Sequence, residues 1–160
     1  MLPEVLKSVG LCKGKGEEGK TGCWMVAINL HTTGKWVDSH PSVDPCIASI
    51  CRILNDHLSD ENRTEKIMEF GFFEPLGTMG DADDNYRRYV HLLNWLKSKG
   101  VEVNFPAHDS APAHFRIALD NRKITIEEGF ELLRKLIDLG PKGPIERVPD
   151  GQDILQHLQV

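Results

Sequence analysis

Residues 36–63 read WVDSHPSVDPCIASICRILNDHLSDENR, and this segment carries the strongest helix signal in the chain. Asp44 is a favoured N-cap, because its carboxylate can accept a hydrogen bond from a first-turn N–H. Pro45 follows at the first helical position, where a missing N–H costs nothing. The next apolar residues have the i, i+3, i+4, i+7 spacing of one buried helix face. They are Ile47, Ile50, Cys51, Leu54 and Leu58.

Apolar periodicity and capping residues predict further helices on both sides of this segment. Thr125 and Glu128 form a capping box before the last strong helix. An aspartate near residue 81 caps the longest one, and Tyr86 lies on its apolar stripe. The predicted helices cover residues 2–9, 23–31, 44–58, 59–70, 81–99, 110–119 and 125–139, with a weak one from Asp153. Residues 101–106 alternate and are expected to be extended, so the predicted fold is mostly α, with about five to seven helices and at most one short extended segment.

Length and composition predict one compact domain. A chain of 160 residues is long enough for a hydrophobic core without disulfides or metals. We expect residues 1–141 to form the helical domain and residues 142–160 to form a C-terminal arm or tail, because turn-forming residues start that stretch.

Charge and cysteine content limit the classes of function. The net charge of −5 gives no basic footprint, so we expect no nucleic-acid partner. No apolar run approaches the length of a membrane span, and the N-terminus lacks the pattern of a signal peptide. The four cysteines show no paired spacing and are interpreted as reduced thiols. These features predict a cytoplasmic protein that does not bind a membrane.

The segment from Gly22 to residue 98 resembles an uncharacterised group of small helical proteins from bacteria and their phages. The shared pattern includes Trp-x-Asp-His-Pro, Arg-x-x-Asn-Asp, Ser-Asp-x-x-Arg and Gly-Thr. Here Ser39 is inserted between the aspartate and the histidine of the first motif. The matching residues are Gly22, Cys23, Trp36, Asp38, His40, Pro41, Pro45, Arg52, Asn55, Asp56, Ser59, Asp60, Arg63, Gly77 and Thr78. The resemblance implies a helical fold and carries no established activity.

Two roles are open for the polar residues of this segment. His40 beside Asp56 is suited to general-base catalysis, with Arg63 binding an anionic substrate, which would make the protein a small hydrolase. The structural alternative has Arg63 folding back onto Asn55 and Asp56 to join two helices, and this reading is preferred. Trp36, His40 and Arg52 are the predicted binding residues.

The sequence also offers a metal site and a phosphate-binding site, and neither is favoured. Cys23, His31, Asp38 and His40 could meet around the proline-containing loop as metal ligands, but their spacing matches no zinc pattern. Residues 14–21 match the phosphate-loop expression, with Lys20 and Thr21 at its end. No strand is predicted before that loop, and its two glutamates would repel phosphate. We therefore expect no metal and no cofactor.

The predicted function is that of a small intracellular, non-enzymatic binding or regulatory protein acting on a partner protein. A phage-type inhibitor of a host protein is one version of it. The alternative is a small hydrolase or metal-binding protein that uses His40, Asp56 and Arg63. The sequence does not indicate the oligomeric state.

Overall fold

A computed structural model of the protein describes residues 2–14, 16–103 and 108–143. This part of the chain contains seven α-helices and a minimal parallel sheet, which confirms the predicted mostly α fold. None of its helices combines the length and apolar character needed to cross a lipid bilayer. The helices are α1 (Glu4–Ser8), α2 (Trp24–Thr33), α3 (Pro45–His57), α4 (Arg63–Phe70), α5 (Ala82–Ser98), α6 (Ala111–Asp120) and α7 (Ile126–Asp138), and the strands are β1 (Gly10–Leu11) and β2 (Thr21–Gly22).

Helix α3 lies at the centre and contacts α2, α5, α6 and α7. It begins as predicted: Asp44 Oδ1 accepts the N–H groups of Cys46 at 2.8 Å and Ile47 at 3.2 Å. Its apolar side chains Ile47, Ile50, Cys51 and Leu54 are completely buried. Burying each of the larger ones is worth about 1.5–3 kcal/mol, so the core forms around this helix.

The two strands were not predicted. Gly10 pairs with Thr21 and Leu11 with Gly22, in parallel. The Gly10 N–H donates to the Lys20 carbonyl at 3.0 Å, and the Cys12 N–H donates to the Gly22 carbonyl at 2.9 Å. The glycine-rich loop therefore returns beside its own start and delivers the chain to α2.

Two helix predictions need correction. Helix α4 begins at Arg63 rather than at Ser59, because the Ser59 carbonyl accepts the Asn62 and Arg63 N–H groups in a turn. Tyr86 is 53% exposed, whereas Arg88 on the same helix is fully buried. The buried stripe of α5 therefore runs through Arg88, Leu92 and the residues that follow it, not through Tyr86.

A buried ion pair joins the start of α3 to α5. The Arg88 and Asp44 side chains are both inaccessible to solvent, with Nη1 3.4 Å from Oδ2. Arg88 also donates to the carbonyls of Leu136 at 2.9 Å, Pro141 at 2.9 Å and Thr78. Asn85 donates to the same Asp44 oxygen at 3.0 Å. One guanidinium thus connects two helices, the loop before α5 and the end of α7.

The chain after α7 lies against the loop before α5. Lys142 Nζ donates to the carbonyls of Glu74 and Leu76, and the Gly143 N–H donates to the Gly77 carbonyl at 2.7 Å. Residues 144–160 lie outside the described residues, with most of the predicted arm and the weak helix from Asp153. Of the predicted extended segment, residues 104–107 also lie outside them, and residues 101–103 form neither helix nor strand.

We expect Arg88→Met to lower the free energy of unfolding by about 3–5 kcal/mol, because it leaves the buried Asp44 carboxylate without its cation. Urea unfolding followed by tryptophan fluorescence measures this loss. Arg87→Met is the matched control: this neighbouring arginine is about half exposed, and its loss should cost less than about 1 kcal/mol. Equal losses for the two variants would refute the role assigned to Arg88.

Candidate functional site

His40 holds the proline-containing loop against the end of α2. Its Nδ1 accepts the Ser42 backbone N–H at 3.0 Å, and its Nε2 lies 2.6 Å from Thr32 Oγ1. A ring nitrogen that accepts an N–H carries no proton, so the neutral ring is protonated at Nε2 and donates to Thr32. The Thr32 hydroxyl in turn donates a hydrogen bond to the Ile28 carbonyl at 2.9 Å. Both ring nitrogens are thus used in holding the loop.

Arg63 caps the C-terminal end of α3. Its Nε donates to the Asn55 carbonyl at 2.9 Å, and its Nη2 donates to the Leu58 carbonyl at 2.8 Å. Its Nη1 donates to the Asp60 carboxylate at 2.7 Å. The side chain is only 2% exposed. Because the last carbonyls of a helix have no partner within it, this guanidinium satisfies groups that would otherwise be buried and unpaired.

Asn55 and Asp56 join α3 to the N-terminal segment. Asn55 Oδ1 accepts the Trp24 N–H at 3.2 Å, and its Nδ2 donates to the Cys12 carbonyl at 2.8 Å. Asp56 Oδ1 accepts the Gly14 N–H at 2.8 Å. The Gly14 N–H, which would bind phosphate in a phosphate loop, therefore already donates to a carboxylate of the protein.

The rest of the phosphate-loop match is also engaged within the protein. Thr21 Oγ1 accepts the Glu17 N–H at 2.9 Å, and Lys20 pairs with the Glu17 carboxylate at 3.2 Å. In a phosphate loop the threonine hydroxyl and the lysine would face magnesium and phosphate. Here both bind residues of the loop, so the geometry does not fit a nucleotide site.

The residues of the hydrolase alternative do not converge on one cavity. His40 lines a cavity with Pro41, and Asp56 lines a different one with Gly14. Arg63 is buried at the junction of α3 and α4 and directs its donors to backbone carbonyls. A general base needs its carboxylate partner and its substrate within hydrogen-bond reach, and this arrangement does not provide them.

The four residues considered as metal ligands do not converge on a common site either. Within the described ranges, no three histidine, cysteine, aspartate or glutamate side chains are grouped so that they could hold a metal ion. His31 lies against the Phe73 ring, with centroids 4.7 Å apart. His40 is committed to Thr32, so the set Cys23, His31, Asp38 and His40 is not a metal centre in this structure.

Cys23 is a buried thiol at the start of α2. Burial raises its pKa, and the carboxylates of Asp38 and Asp56 raise it further, whereas backbone N–H groups of Val26 and Met25 lower it. Burial has the larger effect, so the sulfur is held as a thiol rather than as the nucleophilic thiolate.

Two predicted binding residues have packing or loop contacts. Trp36 is half-buried against the core, and its ring lies 3.6 Å from where a Cβ on Gly22 would be. Arg52 donates to the Asp38 carbonyl at 2.8 Å and to Ser49 Oγ at 3.1 Å. These contacts hold Trp36 in the fold and direct the Arg52 guanidinium toward the loop.

Arg52 lines three adjoining cavities. The first, called here the apolar cavity, has a volume of about 270 Å³ and lies between the proline-containing loop and Met79. It is lined by Ser39, His40, Pro41, Val43, Pro45, Ala48, Arg52 and Met79. Met79 is 40% exposed, and Pro41 and Pro45 are also exposed.

The arginine cleft lies between α3 and α6, and the polar cavity lies between α3, Arg116 and the segments that carry Gly14, Cys23 and Asp38. The arginine cleft, of about 200 Å³, is lined by Ser49, Arg52, Ile53, Pro112, Ala113 and Arg116. The polar cavity, of about 250 Å³, is lined by Gly14, Cys23, Asp38, Arg52, Asp56 and Arg116. Sequence reasoning missed Met79 and Arg116. No local sequence signal marks them, because both come from segments that are distant from Arg52 in the chain.

We expect Asn55→Asp to destabilise the fold by about 2–3 kcal/mol, because a carboxylate oxygen would then face the Cys12 carbonyl without a proton between them. Urea unfolding measures the loss. Asn94→Asp, the same change at an exposed position of α5, should cost less than about 0.5 kcal/mol. If Asn55→Asp is as mild as this control, the link between α3 and the N-terminal segment contributes little.

We expect Cys12 alone among the four cysteines to react rapidly with iodoacetamide in the native protein. Cys12 is partly exposed, whereas the other three are at most 3% exposed and burial raises the pKa of their thiols. Intact mass spectrometry counts the adducts, and Cys12→Ser should abolish the rapid one. A second rapid adduct would show that Cys23, Cys46 or Cys51 is accessible.

Comparison with known proteins does not assign the chain to a family. No protein-family model matches the chain, and neither does any curated protein or solved structure. The resemblance to small bacterial and phage proteins stays a prediction.

Proposed function

We propose that the protein is a small intracellular, non-enzymatic binding protein that regulates a partner protein through the apolar cavity. The observation that carries this proposal is the rim of that cavity. Pro41, Pro45 and Met79 expose apolar surface around a concavity whose lining is mostly apolar, with Ser39, His40 and Arg52 as its polar members. Exposed apolar surface grouped around a concavity is typical of interaction sites.

The rigidity of the loop supports the same proposal. Asn29 Nδ2 donates to the carbonyls of Val37 at 2.9 Å and Ser39 at 2.6 Å. The Met79 N–H donates to the Ser42 carbonyl at 3.0 Å, which joins the two sides of the cavity. A surface already fixed in the free protein loses little conformational entropy on binding.

The state of the reactive groups favours binding over catalysis. The His40 ring is engaged through both nitrogens, and Arg63 caps a helix. Burial keeps Cys23 protonated. The cysteines, none of which forms a disulfide, are in keeping with a reducing compartment. A phage-type inhibitor would use such a rigid surface to cover a functional face of a host protein.

We expect Met79→Asp to abolish capture of the partner, because it places a charge on the apolar rim. The measurement is a pull-down with quantitative mass spectrometry, in which a specific partner is lost from the variant but recovered by the wild type. Ile117→Asp is the matched control: Ile117 is 53% exposed but lines a different cavity. Circular dichroism of both variants checks that each is folded.

Three results would count against the proposal. Recovery of the partner by Met79→Asp, or its loss only in Ile117→Asp, would move the interaction to another surface. If the wild type recovers no protein in larger amount than Met79→Asp does, the proposal that this surface binds a partner has no basis.

A further inference from the structure

The arginine cleft has the composition of an anion site. Arg52 from α3 and Arg116 from α6 line it together with Ser49, and none of the described residues that line it carries a carboxylate. Guanidinium groups bind carboxylates through paired, charge-assisted hydrogen bonds. The protein as a whole carries a net charge of −5, so this cleft differs in sign from the average surface.

Both guanidinium groups keep donors available. Two N–H groups of Arg52 bind the Asp38 carbonyl and Ser49 Oγ, which fixes its position, and no other residue in the described ranges accepts its remaining N–H groups. Arg116 is exposed and forms no hydrogen bond or ion pair with any part of the chain that the structure describes. One arginine is therefore fixed in place and the other is free to close over a ligand.

The polar cavity explains how two cations can lie near each other. Asp38 and Asp56 line it together with the same two arginines. Neither carboxylate comes within 4.0 Å of a guanidinium, since no such ion pair occurs among the described side chains. At a longer distance they reduce the repulsion between the cations without occupying their donors.

Arg52 also links the cleft to the apolar cavity. Pro45 and Ala48 line the apolar cavity, and Ser49 and Ile53 line the cleft, so the two are displaced by four to five residues, or about 6–7.5 Å, along α3. In an extended peptide, side chains two positions apart lie on the same side and are about 7 Å apart. This spacing matches the displacement of the two cavities along the helix.

We propose that the partner contributes an extended segment with an apolar residue two positions from an acidic one. The apolar side chain enters the apolar cavity, and the carboxylate binds between Arg52 and Arg116. This inference rests on the proposed function, because it specifies the ligand of the same surface. The Ser49 hydroxyl, which also lines the cleft, adds a polar contact to the carboxylate.

The test is an NMR titration of the full ¹⁵N-labelled chain with acetylated and amidated peptides containing Leu-Ala-Asp, Leu-Ala-Asn or Ala-Ala-Asp. The Leu-Ala-Asp peptide should bind about tenfold more tightly than the Leu-Ala-Asn peptide, as expected for one charge-assisted contact. It should also bind more tightly than the Ala-Ala-Asp peptide, and shifts should map to residues around Met79 and Arg52.

Arg116→Gln should reduce the preference for aspartate over asparagine to less than about threefold. Arg122→Gln is the matched control, because it removes the same charge from an exposed position that lines none of the three cavities. It should leave the preference unchanged. Met79→Asp should weaken both leucine peptides.

Several outcomes would overturn the inference. Equal binding of the Asp and Asn peptides would remove the anion site while leaving the Met79-dependent pull-down, and with it the proposed function, intact. The absence of shifts with every peptide up to its solubility limit would do the same. Loss of the partner's dependence on Met79 would instead contradict the proposed function itself.

Two other occupants of the surface would be recognised by two further measurements. Self-association of the wild type in sedimentation velocity, absent in Met79→Asp, would make the occupant a second copy. The chain itself carries the proposed spacing at Val148 and Asp150. Tighter peptide binding by Asp150→Asn would identify this segment as the occupant. Either result would overturn the assignment to a partner.

Discussion

The ion pair between Asp44 and Arg88 is the constraint on which the other parts of the structure depend. Removing two charges from water is costly, so each must find partners for all its polar atoms. Asp44 therefore caps α3, and Arg88 binds carbonyls at the end of α7 and in the loop before α5. Thr78 accepts the Asp44 N–H at 3.0 Å. These contacts place Met79 beside the proline-containing loop and so create the apolar cavity.

Features set by neighbouring residues were predictable, and those set by distant contacts were not. The capping box of Thr125 and Glu128 was predicted because its bonds span only three positions. Arg87 and Arg88 are adjacent residues of one type, and only the packing of α5 decides which is buried. The same packing leaves Tyr86 exposed. The parallel strands of two residues each arise from a pairing that no local pattern reveals.

The candidate site shows the same division. Sequence reasoning selected His40, Asp56 and Arg63, but their side chains hold the loop, the N-terminal segment and the end of α3. It also named Arg52, which does line the cavities. Arg116 and Met79 could not be associated with Arg52, because they come from distant segments that meet only when α3, α5 and α6 pack.

The position of Arg52 in the wall of three cavities has a consequence for how ligands act on one another. A charged ligand beside this guanidinium changes the electrostatic potential in all three spaces. Thermodynamic linkage makes such an effect reciprocal: if an anion in one cavity alters the affinity of its neighbour, the neighbour's ligand alters the affinity for the anion by the same factor. Since Asp56 lines the polar cavity and accepts the Gly14 N–H, such coupling reaches a residue that holds the N-terminal segment.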